Sequence, residues 1–435
     1  MKILETGIPS NITNPIEVGR EMYSLISDLF PICRSITGDG FRRTLAILSQ
    51  HIPLQVHEVP SGTKVFDWVV PKEWNIRDAY VKNSRGEKVV DFNATNLSVL
   101  NYSIPVNKVV SLEELKDHIF TLPNHPEWVP YKTSYYRENW GFCMSHRDFQ
   151  SLEEGDYEVF VDSTLINGSL TYGEFYLQGE EENEVLISCH SCHPSLANDN
   201  LSGVSLTTML AKYLSTVYRR YSYRFLFIPG TIGAITWLSL NEASVEKIKH
   251  GLVIAGVGNP GGITYKRSRR GDAEIDRAAF HVLKHSEQSF DVIDFYPYGY
   301  DERQYCSPGF NLPVGRLSRT PYGKYPQYHT SADNLDFVHP QYLEDIYKKV
   351  LSIINVVENN LTYLNLNPKC EPQLGKRGLY SSIGKNELPM LWVLNCSDGK
   401  NTLLDIAEKS GIEFDIIEKT AKILLRNKLL KKINT

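Results

Sequence analysis

Cys189, His190, Cys192, His193 and Asp199 crowd one short stretch, VLISCHSCHPSLANDNLSG, between Val185 and Gly203. Imidazole nitrogen and carboxylate oxygen are ligands that zinc takes, and a catalytic zinc keeps about three of them plus an open position. His190, His193 and Asp199 supply those residue types. The competing reading makes Asn198, Asp199 and Asn200 turn residues that cap the next helix, a role Asn and Asp favour. Metal binding is the stronger reading, because the histidines follow directly on a buried apolar run. Cys189-His190-Ser191-Cys192-His193 also spells C-x-x-C-H, the haem-attachment pattern. That chemistry needs export, and no export signal is evident. A redox pair of cysteines is open too, but metal explains the flanking histidines better.

Elements must hold this stretch in place. Val185-Leu186-Ile187 reads as a buried strand, and a helix starts near Ser202-Gly203. A loop at the carboxyl end of a strand is where open α/β sheets put their sites. Further strands are expected at Arg224–Ile228 and Gly251–Val257. Helices are expected at Val204–Tyr218, Ala234–Leu240, Asp276–His285 and Tyr342–Leu361. Strands alternating with helices make a mixed or parallel sheet covered on both faces. Residues 15–50 read as two helices joined by Ile32 to Gly38, a capped turn on its chemistry.

From Pro60 to Tyr136 short strand-like runs suggest a small β-rich domain inserted into the main one, which then occupies 1–59 and 137–367. The aromatic stretch Trp128 to Trp140 either lines a cleft or packs the junction. Asp156–Ser163 and Leu170–Gln178 read as two strands of a hairpin or meander leading to the strand at Val185. After a linker at Pro368–Pro389, residues 385–435 show helix, turn, helix and a short strand, a winged-helix pattern.

The 435 residues suit two or three domains. With 42% hydrophobic residues, 22% charged and a net charge of -5, nothing suggests bulk attraction to nucleic acid or an anionic membrane. The start, MKILETGIPSNITN, lacks the apolar core of a signal peptide. No apolar run approaches the ~18 residues of a spanning helix. Seven cysteines without such a signal fit a reducing, cytoplasmic setting. Residues 385–435 hold nine Lys/Arg against seven Asp/Glu. Phosphate contacts need clustered cations, so the winged helix is expected to pack on protein rather than on DNA.

Two further polar concentrations lie downstream, Asp301-Glu302-Arg303-Gln304-Tyr305 and Tyr328-His329-Thr330-Ser331-Ala332-Asp333-Asn334. In the second, Thr330 and Asp333 could orient His329 as outer-shell groups orient a metal ligand. The order strand, His, Asn-Asp-Asn-x-Ser-Gly, helix, then an Asp-bearing loop, then Tyr-His-Thr-x-x-Asp resembles the zinc aminopeptidase clan, which includes glutamate carboxypeptidase-like enzymes and glutaminyl cyclases. More closely, RSITGDG (34–40), CHPSLANDNLSG (192–203), DERQYCSPGFNLPV (301–314) and YHTSADN (328–334) resemble one bacterial family. It combines an aminopeptidase-like domain, a nested β-domain and a C-terminal winged helix, and its members are often named as polysaccharide-biosynthesis proteins.

The resemblance implies a three-layer α/β/α sandwich with a mixed sheet, an inserted β-rich domain and a winged helix. It implies Asp199 and His329 as metal ligands. His190 matches the clan's first histidine by position, with His193 the alternative. The clan's Glu-Glu pair is missing: Pro229-Gly230-Thr231 stands there, and Gly258-Asn259 replaces a later carboxylate. One zinc ion rather than two is therefore expected. Asp301 and Glu302 are the carboxylates left for catalysis, with Glu302 as the replacement base. Their pairing with Arg303 is the structural alternative. The expected activity is hydrolysis of an amide in a small peptide or amino-acid-like substrate. Deacylation of an amino sugar and an inactive metal-binding scaffold are the alternatives, and a homo-oligomer is compatible with each.

Overall fold

In the computed structural model, residues 15–379 and 387–433 are described. The N-terminal segment read for export signals, part of the linker at 368–389 and the last two residues lie outside them.

The main sheet has eight strands, in the order Gln55–Pro60, Ser169–Leu177, Ser222–Ile228, Glu184–His190, Ile248–Ile254, Val314–Ser318, Ile263–Lys266 and Phe290–Ile293. Glu184–His190 runs parallel to both its neighbours. Every residue of that strand is buried, which is why it is written as a continuous apolar run. From it the chain crosses through helix Gly203–Leu214 to the strand on one side. It then crosses back through Ile232–Leu240 to the strand on the other. Right-handed crossovers in opposite directions put those two helices on opposite faces. They also open a crevice at the carboxyl ends of the strands. Helices Pro15–Leu29 and Pro340–Asn359 pack with Gly203–Leu214 to complete one layer.

A second sheet is built from Lys88–Asp91, Glu73–Lys82, Asp156–Ile166 and Val106–Ser111, all antiparallel. Here the structure departs from the expected hairpin or meander. Asp156–Ile166 pairs with Glu73–Lys82 on one side and Val106–Ser111 on the other, and only Ser169–Leu177 enters the main sheet. Its alternating side chains, buried at Tyr157, Val159 and Val161, join Ala79, Val81, Val90, Val110 and Phe142 in a separate core. Alternation marks a strand with one covered face but cannot say which sheet supplies the cover.

Thr362–Asn365, Asp398–Thr402 and Leu430–Lys432 form a three-stranded antiparallel sheet beside helices Leu388–Cys396, Leu403–Ser410 and Phe414–Arg426. This wing therefore starts before the linker, and residues 388–396 are helical. The unit is docked on the main domain. Arg277 pairs with Asp405 at 2.6 Å and with Glu408 at 2.5 Å. Asn355 Nδ2 donates to Asp415 Oδ1 at 2.9 Å, and the Phe414 N–H donates to His281 Nε2 at 3.0 Å. Among the described residues no helix is long and apolar enough to cross a membrane.

The Phe414 contact needs an unprotonated His281. Burial, helped by His285 and Lys284, pulls this histidine down to about 4. A histidine depressed below its ordinary ~6.5 stabilises the folded form at higher pH and withdraws that support as pH falls toward the folded value. Acidification from pH 7 to 4.5 is thus expected to loosen the winged helix first. Amide exchange at Phe414, corrected for its intrinsic rate, should rise ahead of exchange in Glu184–His190. Equal protection at both pH values would reject this.

Candidate metal centre

His190 ends its strand, and its ring enters the crevice with Nε2 2.9 Å from Asp199 Oδ1. His193 Nδ1 lies 3.3 Å from Asp199 Oδ2 and 3.1 Å from the Asp199 carbonyl oxygen. His329 arrives from a distant loop, with Nε2 3.0 Å from Asp199 Oδ2. Three imidazoles thus converge on one carboxylate, itself fully buried. The structure brings His190 and His193 together on the one carboxylate.

A tetrahedral zinc with arms of about 2.0–2.1 Å holds its ligand atoms about 3.3 Å apart. The imidazole contacts to Asp199 span 2.9–3.3 Å; ligand atoms of His190, His193 and Asp199 all fall within 4.8 Å of one another, and His329 stands outside that close group. The donor set and its spacing fit zinc.

Burial works to raise the Asp199 carboxyl, but the His193 charge and the imidazole contacts hold it well below the usual range. Burial lowers His190 and His329. It opposes protonation of His193 as well, yet Asp199 outweighs it there and the ring is raised.

The loop is braced from three sides. Asp333 accepts the N–H groups of Asn198 at 2.6 Å and Asp199 at 2.9 Å. Asn198 Oδ1 accepts from Gly258 N–H at 2.9 Å, and Asn200 Oδ1 from Gly256 N–H at 3.0 Å. Asn200 Nδ2 donates to the Ile254 carbonyl at 3.0 Å and the His190 carbonyl at 3.2 Å. The two asparagines rivet Asp199 to the exit of the next strand. Outer partners of this kind typically govern metal affinity by about 10–100-fold. Asp333→Asn, which replaces an acceptor by an amide, should weaken zinc binding by about that factor. Competition against a chelating indicator measures it, and wild-type affinity would count against this role.

His329 has a φ of +56°, a left-handed position uncommon for a residue with a side chain. The Tyr131 N–H holds it by donating to the His329 carbonyl at 2.8 Å. Val129 and Ser331 exchange a further pair of bonds at 2.8 and 2.9 Å. Tyr131 meets both His193 and His329 edge to face, at 5.3 and 5.1 Å. Part of the aromatic stretch therefore lines the site, and it positions the most distant histidine.

Arg34 was legible only as part of a turn. It is fully buried, and its Nε donates to the His193 carbonyl at 2.8 Å while Nη1 donates to Leu29 at 2.6 Å. Burial pulls its guanidinium down to about 10. The one charged residue in the link Ile32 to Gly38 was the available signal. Cys189 and Cys192 are buried free thiols pushed up to about 12 by burial; such thiols are chemically inert.

The two candidate catalytic carboxylates differ. Glu302 is fully buried, with Oε1 3.0 Å from Lys266 Nζ and 3.6 Å from Arg316 Nη1. Its ion pair is thus with Lys266, while Arg303 lies over the Tyr298 ring at 5.5 Å. Asp301 is buried with neither oxygen hydrogen-bonded, and burial followed by Glu302 pushes it up to about 8. It borders Gly230, where an added Cβ would lie 3.0 Å from His190 Cβ and 3.7 Å from Asp301 Oδ1. Gly230 itself is thus closely packed against His190, and Asp301 borders it from another loop.

A mixed sheet covered on both faces, with a histidine-rich loop at the carboxyl end of an inner strand and a winged helix behind, defines an aminopeptidase-like α/β protein. Residues 23–360 match a family described as a domain of unknown function, DUF4910, and residues 361–432 match a winged helix-turn-helix family. The chain belongs to the DUF4910 family.

It is 57% identical, over 97% of its length and 98% of the other's, to a Clostridium acetobutylicum protein named "putative polysaccharide biosynthesis protein with aminopeptidase-like domain". A crystal structure of a "putative peptidase" from the same organism matches with a TM-score of 0.94 at 57% identity, covering 97% of this chain and 98% of that one. A zinc aminopeptidase from Bacillus subtilis shares the fold, with a TM-score of 0.59 at 12% identity, over 77% of this chain and 94% of that one.

Proposed function

We propose that this chain is a zinc-dependent amidohydrolase that cleaves an amide bond in a small peptide or amino-acid-like substrate. The observation that carries this reading is the convergence of His190, His193 and His329 on the buried carboxylate of Asp199 at the crevice. His190, His193, Asp199 and His329 would hold one ion per chain. Zinc, when bound there, supplies Lewis-acid polarisation of the substrate carbonyl.

The chain's own residues supply the proton handling. Asp301, free of hydrogen-bond partners, receives a proton at Oδ1 or Oδ2 from the attacking water and returns it to the leaving nitrogen, as general acid–base catalysis requires. Glu302 is committed to Lys266 and holds the Asp301 loop in place. Tyr131 and Tyr300 wall the imidazoles, Tyr300 stacking on His190 at 4.9 Å.

Metal analysis of the purified protein, followed by a screen of aminoacyl and acylamino substrates, tests the reading. About one zinc per chain is expected, with turnover of at least one amide and loss of both in His329→Ala. A protein without zinc, or one with zinc that cleaves no amide, would end it.

A further inference from the structure

Beside the metal cluster lies a buried group of cations with too few anions. Lys266 and Arg316 are direct cross-strand neighbours on adjacent antiparallel strands, and both are buried, at 0% and 1% exposure. Like charges placed directly opposite destabilise a sheet. Here one carboxylate, Glu302, serves both, at 3.0 Å from Lys266 and 3.6 Å from Arg316. Lys266 Nζ also donates to the Tyr298 carbonyl at 2.9 Å. Arg316 has no such relief: its Nε and Nη1 are buried without a hydrogen-bond partner.

A buried cation that only shares its counter-charge is costly, and two of the Arg316 donors are left without an acceptor. Aromatic rings form the remaining walls. Tyr300 and Tyr322 lie 5.5 and 5.8 Å from the Arg316 guanidinium, and Phe295 and Tyr296 lie 5.1 and 4.8 Å from the Lys266 ammonium. Tyr300 is shared: its ring also stacks on His190 at 4.9 Å. A single ring therefore separates the Arg316 charge from the metal cluster.

We infer that Arg316 is the specificity residue of this site and that the substrate carries a carboxylate, which Arg316 binds behind Tyr300 while the amide lies at the histidine cluster. The inference rests on the amidohydrolase reading and narrows it to acidic substrates, such as an acyl amino acid or a peptide with an acidic residue next to the scissile bond. Lys266 holds Glu302 away from full pairing with Arg316, which keeps two guanidinium donors available. Guanidinium donors suit a carboxylate in both charge and planar geometry. Tyr300 and Tyr322 are the flaps that such a group must pass.

The test compares binding of N-acetylglutamate with that of its two mono-amides by titration calorimetry, using the zinc-loaded full chain. Amidation of one carboxyl is expected to weaken binding at least tenfold, and this difference should vanish in Arg316→Met with zinc content unchanged. Carboxylate–zinc contacts are common to both proteins, so the change on mutation isolates Arg316. Equal binding of all three compounds to the wild type overturns the inference, and that comparison needs no variant. A preference that persists in Arg316→Met overturns it as well. The amidohydrolase reading fails separately, through missing zinc or missing amide turnover. A zinc-loaded enzyme that cleaves neutral amides and ignores the carboxylate would sink only the inference.

Discussion

Asp199→Asn is expected to leave the chain folded and to reduce zinc occupancy to a small fraction of the wild type. Every candidate ligand nitrogen lies within 3.3 Å of this one carboxylate, so removing its charge strikes all three contacts at once. Changes to outer partners of metal ligands cost about 10–100-fold in affinity; loss of the central anionic ligand should exceed that. Asparagine keeps the shape and can still hydrogen-bond, and the backbone of residue 199 stays anchored to Asp333. Metal content by atomic absorption, alongside far-UV circular dichroism, separates loss of ligand from loss of fold. A variant that keeps one zinc per chain would remove Asp199 from the ligand set.

Asp301→Asn should do the opposite, keeping zinc and losing turnover by at least about 100-fold, within the ~10²–10⁴ that general acid–base catalysis supplies. Its carboxylate is buried with no partner on either oxygen, a costly arrangement. The neutral variant should therefore be at least as stable as the wild type, as is usual where a site carries strain for function. Glu302→Gln provides the contrast. Glu302 is the single counter-charge for Lys266 and Arg316. Breaking a buried pair costs about 3–5 kcal/mol, so this variant should show a clear drop in Tm. Parallel thermal melts and turnover assays distinguish the two carboxylates. An Asp301→Asn enzyme with full activity would show that the proton is handled elsewhere.

The contrast also shows where local sequence stopped being informative. Asp301 and Glu302 are adjacent, so no spacing rule separates them. Glu302 looked the better base from its position in the motif. The strand Ile263–Lys266 and the strand Val314–Ser318 bring Lys266 and Arg316 against Glu302 and leave Asp301 beside Gly230. Those partners lie far away in the chain, and nothing in residues 298–307 announces them. Arg34 and Tyr131 were missed for the same reason. Each supports a candidate ligand histidine through a backbone carbonyl, a contact that has no side-chain signature in the partner.

The wing and the small sheet make the same point at larger scale. Alternation at Asp156–Ile166 identified a strand, but its neighbours decided its sheet. Thr362–Asn365 falls between the expected helix Tyr342–Leu361 and the linker, with no element assigned to it, yet it pairs with both Asp398–Thr402 and Leu430–Lys432.

By itself the sequence determined the central strand, the loop that leaves it and the ligand types within it. A continuous apolar run that ends in histidine, cysteine and an Asn-Asp-Asn turn can be buried only as a strand with a polar exit. It also determined that the usual glutamate pair is absent. Only the tertiary structure decided that His190, His193 and His329 share one carboxylate, and that Asp301 rather than Glu302 is left without a partner. It alone placed two opposed cations behind Tyr300. Those are matters of distance between segments far apart in the chain, set by strand order and crossover handedness, which no local pattern encodes.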